Sequence, residues 1–264
     1  MRMVKSYVIV SLMFILLAPL VGCSTLGTYN PATGRREFIA IPTDVEVSMG
    51  RDIHTQIVSQ YSLTQRKEQL AQLNRIGQRL AQVSDRQDYE YHFYLLENKD
   101  LNAFTTPGGN VYVFTGLMDK LQTSDEIASV LAHEIGHCAA RHTIKKFQAT
   151  IGYNLIGSII LGQADIGEQT KRIAALGSNV IMQLAMSAYG RQDEYEADRL
   201  GLKYMDLAGY DLQGMIKVFE VLKQESEGSR GPLILRTHPF VEDRIEMAKK
   251  EIDQIIAKRG RNTQ

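Results

Sequence analysis

Residues Ala132–His137 read Ala-His-Glu-Ile-Gly-His, two histidines four apart with a glutamate beside the first. On a helix, residues four apart lie about 40° from each other round the axis, so His133 and His137 can reach one metal ion from the same face. Glu134 follows the first histidine and can touch a water bound to that metal. A zinc ion lowers the pKa of such a water to about 7, and an adjacent carboxylate can take its proton. The neighbours Ile127, Val130, Leu131 and Ile135 are apolar, so the motif sits on a helix with a buried face. A chain with this motif must bury that helix and bring further ligands to it.

A catalytic site of this kind needs a third protein ligand and an open position. In the extended pattern HExxHxxGxxH, Ala140 takes the glycine position and Thr143 the last histidine position, so that option fails. His142 is one residue out of register, about 140° from His137 round a continuous helix, and reads as a solvated or capping side chain. The other source is a carboxylate from a later helix. The stretch Arg191–Asp198 offers four acids, of which Glu194 and Asp198 are four apart and share a face. Glu194 is the expected third ligand, and Asp198 one turn on can hold the outer nitrogen of a metal-bound histidine. Glu196 points elsewhere. Two histidines and a carboxylate suit zinc, one ion per chain.

Thr123-Ser124-Asp125-Glu126 has the form of a capping box, which predicts a helix from Thr123 to about Lys146. Helical periodicity also marks 44–61, 64–83, 192–207 with a stop near Gly209, 211–225, and a last helix from Pro239 to about Lys258. Tyr89–Leu96 is rich in aromatic residues and reads as a strand, Thr106–Asn110 as a turn, and Val111–Phe114 as a second strand. The expected class is α+β, mainly helical, with a small β-sheet beside the HExxH helix. Asn154–Tyr189 is longer than a connection needs, and reads as two core helices, as a mobile flap, or as a surface that meets a membrane or partner. Cys138 points about 100° away from His137 and reads as a small buried residue. Thirty basic and thirty acidic residues leave no basic excess, which argues against a nucleic-acid partner.

The N-terminus carries Arg2 and Lys5 and then an apolar run from Tyr7 to Leu20, the pattern of a secretory signal peptide. The run is short for a membrane span, which needs about 20 residues. Leu20-Val21-Gly22-Cys23-Ser24 resembles the lipobox of bacterial lipoproteins, with cleavage before a lipid-modified Cys23. Ser24 in place of aspartate resembles the pattern that sorts such proteins to the outer membrane. Gly, Pro, Asn and Thr recur between Ser24 and Arg36, a composition that reads as a tether.

The HEIGH motif, the run Glu194-Tyr195-Glu196-Ala197-Asp198 and Thr237-His238-Pro239 together resemble the M48 peptidase family. Asn102-Ala103-Phe104, Pro107-Gly108-Gly109 and Gly116-Leu117 also match a segment of that family. The resemblance spans roughly residues 45–255 and implies a zincin-like metallopeptidase fold with zinc endopeptidase activity. It implies His133, His137 and Glu194 as ligands, Glu134 as the base, and Asp198 behind a ligand. It also implies an edge strand near Val111–Phe114 that pairs with extended substrate. His238 is implicated in the site either as a donor to the oxyanion or as a fourth ligand that holds the enzyme quiet. Arg244, six residues on, reads as a second stabiliser of developing charge or as a surface ion pair.

The family includes periplasmic and outer-membrane lipoprotein proteases of bacteria. The expected organisation is then a signal peptide at 1–22, lipidated Cys23 and tether at 23–40, and an M48 peptidase domain at 41–264. The expected location is the periplasmic face of the outer membrane, held by lipid on Cys23. Expected partners are unfolded or misassembled protein substrates and the envelope assembly machinery. A different class of function is a chaperone-like factor that binds unfolded chains, with latent proteolysis.

Overall fold

A computed structural model describes residues 27–160, 183, 186–226 and 231–262, with the backbone alone for 151, 153–160 and 262. The signal segment and Cys23 lie outside the described residues, as do 161–182, which hold most of the stretch read as core helices or flap. A hairpin of β1 (Thr28–Asn30) and β2 (Arg35–Glu37) precedes helices α1 (Thr43–Gln60) and α2 (Lys67–Ala81). Strands β3 (His92–Leu96), β4 (Ala103–Thr106) and β5 (Asn110–Phe114) lead into a short α3 (Thr115–Met118). Then come α4 (Ser124–Ala139), α5 (His142–Ile160), α6 (Arg191–Ala208), α7 (Gln213–Ser226), α8 (Ile234–Thr237) and α9 (Val241–Asn262). The class is the expected one: mainly helical, with a small sheet, consistent with a zincin-like α+β fold.

The sheet order is β3-β5-β4, with β5 parallel to β3 and antiparallel to β4. Alternate residues of a strand face opposite sides. Val111 and Val113 join the main core with Leu131, Ile135 and Leu200, whereas Tyr112 and Phe114 meet Ile53 and Ile57 of α1. Both faces are covered, which is why Val-Tyr-Val-Phe shows no polar alternation. The free edge is therefore not at Val111–Phe114: β5 is central, and β4 is the edge strand beside α4. The sequence Ala-Phe-Thr-Thr of β4 is too short and too polar to announce itself as a strand. Its place beside α4 is fixed by Thr105 Oγ1, 2.7 Å from Cys138 Sγ.

The start of α4 follows its capping signal. Thr123 Oγ1 accepts from Glu126 N at 3.2 Å, and Glu126 Oε2 accepts from Gln122 N at 2.7 Å. Its end differs from expectation. The helix stops at Ala139 rather than near Lys146, because Arg141 adopts a left-handed φ of 59°. That conformation is costly for a residue with a Cβ. It is held by the Arg141 guanidinium, which lies 2.7 Å from buried Glu46 Oε2 and donates to Ile41 O at 2.6 Å. The chain turns there, and α5 begins at His142 in a new direction.

Helix α6 crosses close to α4. A Cβ built on Gly136 would lie 2.7 Å from Ala197 O, so only glycine permits this approach. The same closeness brings Glu194 and Asp198 of α6 to the histidines of α4. Helix α6 ends where Gly209 takes φ 73°, the usual left-handed stop.

Residues 28–37 are not a free tether. Asn30 Nδ2 donates to Ala139 O at 3.4 Å, Lys145 Nζ donates to Glu37 Oε1 at 2.6 Å, and Arg35 Nη2 lies 2.8 Å from Glu196 Oε1. Gly, Pro, Asn and Thr suit a tight turn as well as a linker, and only the contacts with the body distinguish the two. No described helix is long and apolar enough to cross a membrane.

Candidate metal centre

His133 and His137 project from one face of α4, as their spacing requires. Their Nε2 atoms lie 3.1 Å apart. Glu194 reaches in from α6, with Oε1 3.4 Å from His137 Nε2 and Oε2 3.7 Å from His133 Nε2. His238, just after α8, places Nδ1 3.1 Å from Glu194 Oε1 and 3.1 Å from His133 Nε2. One ligand atom from each of these four buried residues falls within 4.8 Å of the others. Three imidazole nitrogens and one carboxylate converging on a point are a donor set for a divalent metal.

Glu134 stands beside this point, with Oε1 3.5 Å from His238 Nε2. Both Glu134 oxygens and His238 Nε2 are buried without a hydrogen-bond partner among the described residues. Buried polar atoms are rarely left so, and here they border the position that a metal and its reactants would share. Burial raises the Glu134 carboxyl above its ordinary pKa. Burial opposes charge on Glu194 too, but the Arg244 and His238 charges outweigh it and hold that carboxyl well below its usual range. For His238, burial is outweighed by Glu194 and Glu134, and its pKa is raised.

The outer shell is dense. Asp198 Oδ1 lies 2.8 Å from His133 Nδ1, the position expected of it. Arg244 of α9 donates through Nε and Nη2 to Asp198, both at 2.7 Å, and its Nη1 lies 2.6 Å from Glu194 Oε2. It is buried against the ring of Phe219, so the surface ion pair is not what forms.

Three contributors escaped the sequence reading. His142 is not solvated but 1% exposed, with Nδ1 2.8 Å from His137 Nδ1. The angle drawn for it assumed a continuous helix, and Arg141 breaks that helix. Glu196, read as pointing away, lies 3.2 Å from His142 Nε2. Tyr189 stacks on His137 with ring centroids 3.9 Å apart, and its hydroxyl lies 2.9 Å from Thr143 Oγ1. Nothing in the sequence near Tyr189 signals this. Cys138 is buried, as expected.

Residues 67–252 match the model of peptidase family M48. The beta-barrel assembly-enhancing protease of Escherichia coli is 33% identical over 190 residues, covering 69% of this chain and 39% of that protein. Its namesake in Yersinia pestis is 29% identical over 232 residues, covering 85% of this chain and 47% of that protein. The mitochondrial metalloendopeptidase OMA1 of Schizosaccharomyces pombe is 28% identical over 236 residues, 88% of this chain and 68% of that one. The chain thus spans less than half the length of these two bacterial relatives. The family match runs from α2 into α9 and takes in every residue of the cluster, and on that ground the chain belongs to peptidase family M48.

Proposed function

We propose that the chain is a zinc-dependent endopeptidase, held by lipid on Cys23 at the periplasmic face of a bacterial outer membrane. Its substrates in this reading are misfolded or unassembled envelope proteins. The observation that carries the reading is Glu134, whose two buried, unpartnered oxygens stand beside four converging ligand atoms.

His133, His137 and Glu194 would hold the metal. Zinc, when bound, supplies a Lewis acid for the peptide carbonyl and makes water more acidic. Glu134 takes the proton of the attacking water and passes it to the departing amine. Asp198 and Arg244 fix His133 and Glu194. His238, whose Nδ1 lies among the same ligand atoms, would hold the metal as a fourth ligand and so close the site at rest.

The names of the bacterial relatives support an envelope setting and protein substrates. A mitochondrial relative matches 88% of this chain, so the compartment rests on Arg2–Ser24. The test is cleavage of casein by the purified protein with zinc, with a chelator, and with Glu134→Gln. Loss of cleavage in both controls supports the reading. Intact casein from protein that binds one zinc points to a latent site, and casein that stays intact with His238→Ala as well counts against the reading.

The words "assembly-enhancing" in those names favour a second reading, a chaperone-like factor that binds unfolded chains with proteolysis latent. Cells that need only binding are complemented by Glu134→Gln, whereas cells that need catalysis are not.

A further inference from the structure

We propose that His142 and Glu196 are positioning residues for His137, and that through Arg35 they tie the metal site to the N-terminal hairpin. The proposal rests on the reading of His137 as a metal ligand.

A neutral histidine that gives Nε2 to a metal carries its proton on Nδ1, and that proton needs an acceptor. His133 meets the need with Asp198. Among the described residues His137 has no carboxylate at Nδ1; it has His142 Nδ1, 2.8 Å away. Two imidazole nitrogens this close can bond only if one is protonated and the other bare. His137 must be the donor, so His142 Nδ1 is the acceptor and the single proton of His142 sits on Nε2. That atom faces Glu196 Oε2 at 3.2 Å, with Asp193 Oδ1 further off at 3.7 Å. The other oxygen of Glu196 receives Arg35 Nη2 at 2.8 Å. A metal on His137 Nε2 would therefore fix which nitrogen of each imidazole carries its proton, while Glu196, which can only accept, takes one bond from His142 and one from Arg35.

The backbone is bent to allow this. His142 reaches His137 only because Arg141 leaves the helix at φ 59°, locked there by Glu46 and Ile41. Strained residues held by their surroundings cluster where function needs them. At the outer end Arg35 and Glu196 border an open cleft of about 260 Å³, so the relay runs from a buried ligand to solvent. The hairpin is thus a working part of the site, since its Arg35 fixes the last carboxylate of the relay.

The test is zinc affinity of the metal-free purified protein, by competition with a chromophoric chelator. His142→Leu keeps the bulk and removes the acceptor; the expected loss is about 10- to 100-fold in zinc affinity. His142→Asn places an amide oxygen near the position of Nδ1 and is expected to recover most of that loss. Glu196→Gln and Arg35→Ala give smaller losses in that order. A merely structural role would lower the melting temperature of the metal-free protein without separating Asn from Leu in affinity, and that result overturns the proposal. So does wild-type zinc affinity in His142→Leu. If His142→Leu does not fold, Glu196→Gln decides, and unchanged affinity there overturns the proposal. Wild-type protein that binds no zinc overturns the metal reading beneath it.

Discussion

Arg244 Nη1 lies 2.6 Å from Glu194 Oε2 while the same guanidinium makes two 2.7 Å bonds to Asp198. One cation from α9 thus pairs with both acids that α6 turns toward the motif helix. Removing one partner of a buried ion pair leaves an uncompensated charge and costs about 3–5 kcal/mol. Arg244→Met is expected to lose stability of that order in urea unfolding of the metal-free protein. A loss below about 1 kcal/mol, the size of an exposed pair, would show that Arg244 does not compensate the buried charge of these acids.

Gly136 is one of the points where the motif helix touches α6. A methyl group there meets backbone, Ala197 O at 2.7 Å and Ala197 Cα at 3.1 Å, and neither can rotate away. Gly136→Ala must push the two helices apart, at about 1–3 kcal/mol for an overpacked core. Because Glu194 rides on α6, zinc affinity should fall as well. Gly209→Ala is the control: φ 73° makes it cost about 1 kcal/mol, but it lies at the far end of α6 and should leave zinc affinity unchanged. Equal zinc affinity in the two variants would sink the argument.

Cys138 neighbours a proposed ligand but is chemically quiet. Burial pushes its thiol up to about 12, and the thiolate is the reactive form. In a Cys23→Ser background, the native protein at pH 8 should resist iodoacetamide for hours, and one thiol should react once urea is added. Fast modification of native protein, read by mass spectrometry, would contradict the burial.

What the sequence disclosed was local. Four-residue spacing placed His133 with His137 and Glu194 with Asp198, and Thr123 and Gly209 marked helix ends, because each signal lies within one or two turns. What it concealed was made by tertiary contact. Arg141 carries no glycine or proline signal, yet Glu46 and Ile41 hold it left-handed, and the helix expected to reach Lys146 breaks there. The roles of His142 and Glu196 followed from that break and so were missed together. Tyr189 joins His137 from across the fold. The hairpin at 28–37 and the edge strand β4 likewise exist only through their partners.

His238 decides whether the resting site is closed. Its Nδ1 sits 3.1 Å from both His133 Nε2 and Glu194 Oε1, among the ligand atoms rather than outside them. A fourth ligand strengthens metal binding and blocks the open position. An oxyanion donor does neither, and its removal costs about 10²–10³ in kcat. The expected outcome for His238→Ala is therefore weaker zinc binding together with faster casein cleavage at saturating zinc. The backbone bonds from Tyr189 N to Thr237 O, 3.0 Å, and from His238 N to Ile234 O, 2.7 Å, should hold the loop in place without the imidazole. Slower cleavage with unchanged zinc affinity would instead assign His238 to the oxyanion, and the site would then be open at rest.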